Sequence, residues 1–248
     1  MSLRSLTGRV ALVTGAASGI GAATVAALRD NGVRVAACDI APDADDKDGF
    51  ALDVTDAEAV ETVVAEVSSQ LGEIDILVNV AGILRTGTLL DTTAKDWNDT
   101  FAVNSTGVFL VTKAVTTRMV RRGSGSVVTV ASNAGGVPRV GMGAYPASKA
   151  AAAHLTRCFG LELAEHGIRC NIVAPGSTDT PMFRSMWTTG DGAAAAVAGD
   201  PGKHRLGIPL RKIASAEEVA RVVTFLASDD ASHLTMQELY VDGGASLR

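Results

Sequence analysis

Cysteine is scarce in this sequence: Cys38, Cys158 and Cys170 are three among 248 residues. They are odd in number and share no ligand-like spacing. This excludes a disulfide framework and a cysteine-rich zinc site, leaving small buried hydrophobes as the reading. No metal is expected, and His154 and His166 stand singly. Although 47% of the residues are apolar, charge interrupts them every few positions, and no run approaches the ~20 residues a membrane helix needs. The opening MSLRSLTGR has no apolar signal core, so cytoplasmic residence is the expectation. Basic charge is short as well: the net charge is -5 and no basic run occurs, which argues against a nucleic-acid surface. Neither an internal repeat nor a low-complexity linker divides the chain, whose length suits one α/β domain over residues 1–248.

What is present is alternation. Apolar β-branched runs at residues 9–14, 33–39, 50–54, 74–82, 126–132, 168–176 and 238–244 read as strands. Helical spacing fills 57–71, about 97–121, 144–167 and the stretch after Ser215, where Glu218 completes a capping box. Residues 40–49, rich in Asp, Pro and Gly, predict a surface turn. The order predicts a Rossmann-type, doubly wound parallel sheet of about seven strands with helices on both faces. The irregular stretch 177–212, following a strand at the ligand edge, is a lid candidate.

Two stretches carry chemistry. The first strand passes into GAASGIG, where Gly15 permits a tight turn, Gly19 lets backbone approach a pyrophosphate and Gly21 lets the helix pack closely. Asp39 ends the next strand, about 20 residues on, where an acid accepts from both ribose hydroxyls. It repels a 2′-phosphate, and the glycine turn has no basic residue to offset that, so NAD is preferred to NADP. In the second stretch Ser132 closes a strand, and Tyr145 and Lys149 are four residues apart on one helix. Tyr145 is the expected base, Lys149 the cation that lowers its pKa, and Ser132 the hydroxyl that positions a substrate oxygen.

With TGAASGIG, NVAG at 79–82, Asn104, Ser132, YPASK at 145–149 and APG at 174–176, nearly the whole chain resembles the short-chain dehydrogenase/reductase family. Val80 departs from the family's usual NNAG. The resemblance implies that Ser18, Ile20 and Val54 touch the cofactor, that Asn79, Ala81 and Gly82 face it, and that Pro175, Gly176, Thr178 and Thr180 complete the nicotinamide end. Asp53 is either the acid beside the adenine or the boundary signal of the helix opening at Asp56. Asn104 would hold a water on a proton-exit path from the lysine; otherwise it is a solvent-facing or capping side chain. The small residues along the 144–167 helix leave it either buried twice or packed against a partner chain, and the resemblance implies the second, in a homotetramer.

The wording of NVAGILRTG, PRVGMGAY and APGSTDTPMFRSMW is similar to members acting on dihydro-aromatic carboxylates of the 2,3-dihydro-2,3-dihydroxybenzoate type. The expected reaction is oxidation of the C3 hydroxyl, serving siderophore or secondary-metabolite synthesis. Arg85 or Arg139 would meet the substrate carboxylate, and Met142, Met186 and Trp187 would wall its ring. The rival expectations are 2,3-dihydro-3-hydroxyanthranilate as substrate, a 3-oxoacyl reductase, and a non-catalytic NAD-binding regulator.

Overall fold

The run VALVT is strand β1 (Val10–Thr14), and its side chains enter two separate cores by turns. Val10 and Leu12 join one with Val64 and Val115, while Ala11 and Val13 join the other with Leu28 and Val223. That is the period-2 geometry of a strand, and a strand apolar on both faces needs helices on both. The computed structural model, which describes residues 6–187 and 191–247, contains them.

In chain order, α1 (Gly19–Asp30), β2 (Arg34–Asp39), β3 (Gly49–Ala51), α2 (Ala57–Gln70) and β4 (Ile76–Asn79) form the first half. Then come α3 (Ala94–Phe101), a π-helical turn (Ala102–Gly107), α4 (Val108–Arg122), β5 (Gly125–Val130), α5 (Tyr145–Leu163) and β6 (Ile168–Pro175). The chain continues through β7 (Thr178–Asp179), α6 (Pro181–Arg184), α7 (Gly192–Ala198), β8 (Ala214–Ser215), α8 (Ala216–Ala227) and β9 (Glu238–Val241). Seven strands make one parallel sheet in the order β3-β2-β1-β4-β5-β6-β9, and β7 pairs with β8 separately. Helices α1 and α8 pack together on one face, and α2 packs with α4 on the other. The expected seven-stranded α/β sheet is what forms.

Three local features differ from the sequence reading. The long helix starts earlier, at Ala94 behind the Thr93 cap, and the π turn interrupts it. Gly107 ends that turn against Val54, where an added Cβ would lie 2.7 Å from Val54 Cγ2. The 177–212 stretch is more regular than expected, because Asp191 caps an alanine-rich helix; residues 188–190 lie outside the described residues. Cys38 and Cys170 are buried as expected, but Cys158 is exposed, since it faces outward from α5. Between β2 and β3 the chain turns without a helix, as its Asp, Pro and Gly content predicts.

The strand order reverses between β1 and β4. Their following connections diverge to opposite sides, and a crevice opens at their carboxyl ends.

Candidate active site

A cleft of about 660 Å³ occupies that crevice. Its floor is the turn after β1, where Gly15 (φ +67°) and Gly19 (φ +52°) adopt the left-handed conformation that a Cβ disfavours. A Cβ on Gly15 would lie 2.7 Å from the Ala81 nitrogen, and one on Gly21 would lie 1.8 Å from the Gly15 carbonyl oxygen. Helix and loops therefore close up only around glycine. Ser18, Gly19, Ile20 and Gly21 line the cleft at the amino end of α1, and the Ser18 hydroxyl makes no capping bond to the helix. The positive end of the helix dipole and its orphan amides suit a pyrophosphate there.

Asp39 lines the same cleft. Its Oδ2 accepts from the Ala17 amide (3.0 Å) and its Oδ1 from the Ala41 amide (3.1 Å), which fixes the carboxylate at the end of β2. Neither 15–21 nor 39–42 contains Lys or Arg. This carboxylate can accept from two ribose hydroxyls and repels an added phosphate, so the cofactor is NAD.

Asp53 and Val54 line the adenine side. Asp53 Oδ1 accepts from the Thr55 amide and hydroxyl (2.9 and 2.8 Å). The helix-boundary reading of Asp53 is corrected, because Asp56 caps α2 through the Glu58 and Ala59 amides. Ala81 and Gly82 are on the wall, whereas Asn79 is not. Period-2 alternation turns Asn79 with Leu77 toward α4, where its amide donates to Thr112 Oγ1 (3.0 Å) and Thr129 Oγ1 (3.4 Å). Pro175, Gly176, Thr178 and Thr180 line the far end. The Thr178 hydroxyl donates to the Gly176 carbonyl (3.2 Å), and the Thr180 hydroxyl caps α6.

Ser132, just beyond β5, meets Tyr145 and Lys149 at the start of α5, and all three line the cleft. Burial pushes the Tyr145 phenol up from its ordinary range, and its hydrogen bond with the Ser132 hydroxyl opposes that. Burial pulls the Lys149 ammonium down to about 8. The expected lowering of the phenol by Lys149 is corrected: Nζ lies 5.9 Å from the ring centroid and donates to the Val130 carbonyl (2.9 Å), so desolvation dominates. Asn104 is fully buried behind this wall, not solvent-facing. Its Oδ1 accepts from the Ile83 amide (2.8 Å), and its Nδ2 donates to the Ile83 carbonyl (2.9 Å) and Ser148 Oγ (3.0 Å). A Cβ on Gly82 would lie 3.2 Å from both Asn104 Oδ1 and Lys149 Nζ, so the two side chains converge on that glycine.

At the substrate end, Arg139, Met142 and Met186 line the cleft. Arg85 and Trp187 do not. Arg85 is exposed, with Nε 3.9 Å from Asp96 Oδ1, because its loop bends toward α3. Trp187 packs edge-on against Phe183 (5.8 Å) and over Gly192. Lys203 and Arg205 also reach the cleft and were not anticipated. They sit in an aperiodic stretch whose wording carries no signal of where it folds back.

Residues 15–246 match a family model described as enoyl-(acyl carrier protein) reductase. A 2,3-dihydro-2,3-dihydroxybenzoate dehydrogenase of Bacillus subtilis is 46% identical, covering 100% of this chain and 99% of that protein. A protein of the same name from Escherichia coli is 44% identical over 97% of this chain and 98% of its own. The solved structure of levodione reductase, 31% identical, superposes with a TM-score of 0.89 over 97% of this chain and 98% of that one. Agreement of this extent, in sequence and in backbone, makes the chain a member of the short-chain dehydrogenase/reductase family.

Proposed function

We propose that this protein oxidises the C3 hydroxyl of 2,3-dihydro-2,3-dihydroxybenzoate with NAD. The observation that carries the reading is the wall of Ser132, Tyr145 and Lys149 beside the glycine turn and Asp39, in a chain 46% identical to a dehydrogenase of that name. The Ser132 hydroxyl holds the substrate oxygen and hydrogen-bonds the phenol, favouring its ionised form. The Tyr145 oxygen takes the hydroxyl proton. Lys149, a cation at neutral pH with a pKa of about 8, orients the ribose side of the cleft and steadies the charge that develops nearby. Asn104 acts as a positioning residue that holds the loop at Ile83, beyond β4, and α5 together. Bound NAD supplies the acceptor for the hydride that leaves the carbon. The ketone then enolises to an aromatic ring, which makes the oxidation downhill without a further acid from the protein.

The 177–212 stretch is the substrate-side wall and lid of a single catalytic domain, with Met142 and Met186 against the ring. The product suits siderophore synthesis in the cytoplasm; no helix among the described residues is long and apolar enough to cross a membrane. A homotetramer is supported by the exposed apolar residues Phe109 on α4 and Leu161 on α5.

Incubation with NAD and the dihydro acid tests the reading: aromatic absorbance and NADH should rise in equal amounts. In Tyr145→Phe turnover should fall about 10²- to 10⁴-fold with NAD still bound. Unchanged turnover would remove the phenol from the mechanism.

A further inference from the structure

Two guanidinium groups enter the substrate end of the cleft from different elements. Arg139 comes from the loop before α5, which is held by backbone bonds from Gly87 N to Gly141 O (3.0 Å) and from Gly143 N to Gly87 O (2.9 Å). Arg205 comes from a tight loop closed by reciprocal Asp200 and Arg205 backbone bonds of 2.9 Å each, and its guanidinium donates to Ser177 Oγ (2.9 Å). Both loops are therefore pinned by their own backbones.

Neither guanidinium has a carboxylate at ion-pair distance among the described residues. Asp200 pairs with Lys203 (3.5 Å), and the Asp242 carboxylate accepts from Asn133 Nδ2 (3.2 Å) and the Gly244 amide (3.0 Å). Burial disfavours the charge on each guanidinium, and Arg205 disfavours that on Arg139 as well, ahead of the favourable influence of Asp242; Asp200 favours the charge on Arg205, and both arginines are part-buried. Placing like charges together in a partly desolvated cleft costs free energy that an anion between them would offset.

We propose that Arg139 and Arg205 form a two-sided clamp for the carboxylate of the substrate, and that Arg205 selects acids over neutral cyclic alcohols. The inference rests on the dihydro-aromatic acid reading above. The clamp sits in the wall that also carries Met142 and Met186, so an aromatic acid anchored by its carboxylate lies with its ring against apolar side chains. Arg85, which was the equal candidate in the sequence, is outside the clamp.

The test uses the NAD-saturated protein, with benzoate and benzamide as probes and the dihydro acid as substrate. In Arg205→Gln and in Arg139→Gln, the benzoate dissociation constant by calorimetry and the KM for the dihydro acid should each rise about 10- to 100-fold, the loss of one charge-assisted bond. The effect should fall on KM more than on kcat, benzamide binding should not shift, Arg205→Lys should recover part of the loss, and Arg85→Gln should match the wild type. Equal benzoate affinity in wild type and Arg205→Gln would overturn the clamp, as would an equal loss for benzamide in variants that melt like the wild type. If the wild type fails to oxidise the dihydro acid while benzoate binding still needs both arginines, the substrate reading fails and the carboxylate clamp stands.

Discussion

Burying an ammonium costs free energy unless it is well paired, and Lys149 is 4% exposed with one carbonyl partner, that of Val130. Function, not stability, accounts for such a residue. In Lys149→Met the melting temperature should hold or rise while turnover falls at least about 100-fold. The linkage has a definite sign. With the folded pKa lowered from 10.5 to about 8, the unfolded chain keeps a proton that the folded one has released, so this group adds stability as pH rises across that window. Buried Cys38, Cys170 and Tyr145, all pushed up by burial, act in the opposite sense at high pH. The measurement is therefore a difference: thermal melts of the wild type should gain on those of Lys149→Met between pH 8 and 10.5, and parallel curves would refute the buried ammonium.

At the scale of elements, α8 shows how local wording controls a whole layer. Ser215 Oγ accepts from the Glu218 amide (3.3 Å) and Glu218 Oε2 accepts from the Ser215 amide (2.9 Å), the reciprocal bonds that the Ser215 and Glu218 spacing predicts. The helix so started packs on α1 and on the sheet face at β5 and β6. Ser215 also ends the β7–β8 pair, which ties the cap to the substrate wall. Ser215→Ala should cost about 1 kcal/mol, lowering the melting temperature by about 2–4 °C for a chain of this size, and Ser215→Asp should restore most of it. A melt unchanged by Ser215→Ala would show the cap to be idle. The π turn at 102–107 is the contrasting case. Its spacing reads as ordinary helix, and the departure is seen only where Gly107 meets Val54 across the fold.

For the whole molecule, Phe109 and Leu161 are 40% and 71% exposed on neighbouring helices, and Phe109 lies 6.2 Å from the Phe159 ring. Exposed apolar side chains on these two helices are what the proposed homotetramer would cover. Light scattering on the purified protein should give the mass of four chains, and Phe109→Asp with Leu161→Asp should release smaller species. A wild-type monomer at micromolar concentration would exclude the tetramer.

The linear sequence determined the sheet, its two faces and the cofactor half of the cleft. Each depends on short-range chemistry: period-2 apolar runs, glycines at a strand-to-helix turn, an acid at a strand end, and a tyrosine and lysine one helical turn apart. Residues brought in from distant loops were decided only by the tertiary structure. It turned Asn79 away from the cleft, left Arg85 and Trp187 outside it, and set Arg205 in the same cleft as Arg139. It also made burial, not the neighbouring lysine, the largest influence on the Tyr145 phenol. The physical reason is common to all of these: burial and the meeting of charges depend on what other segments pack alongside, and no local spacing encodes that.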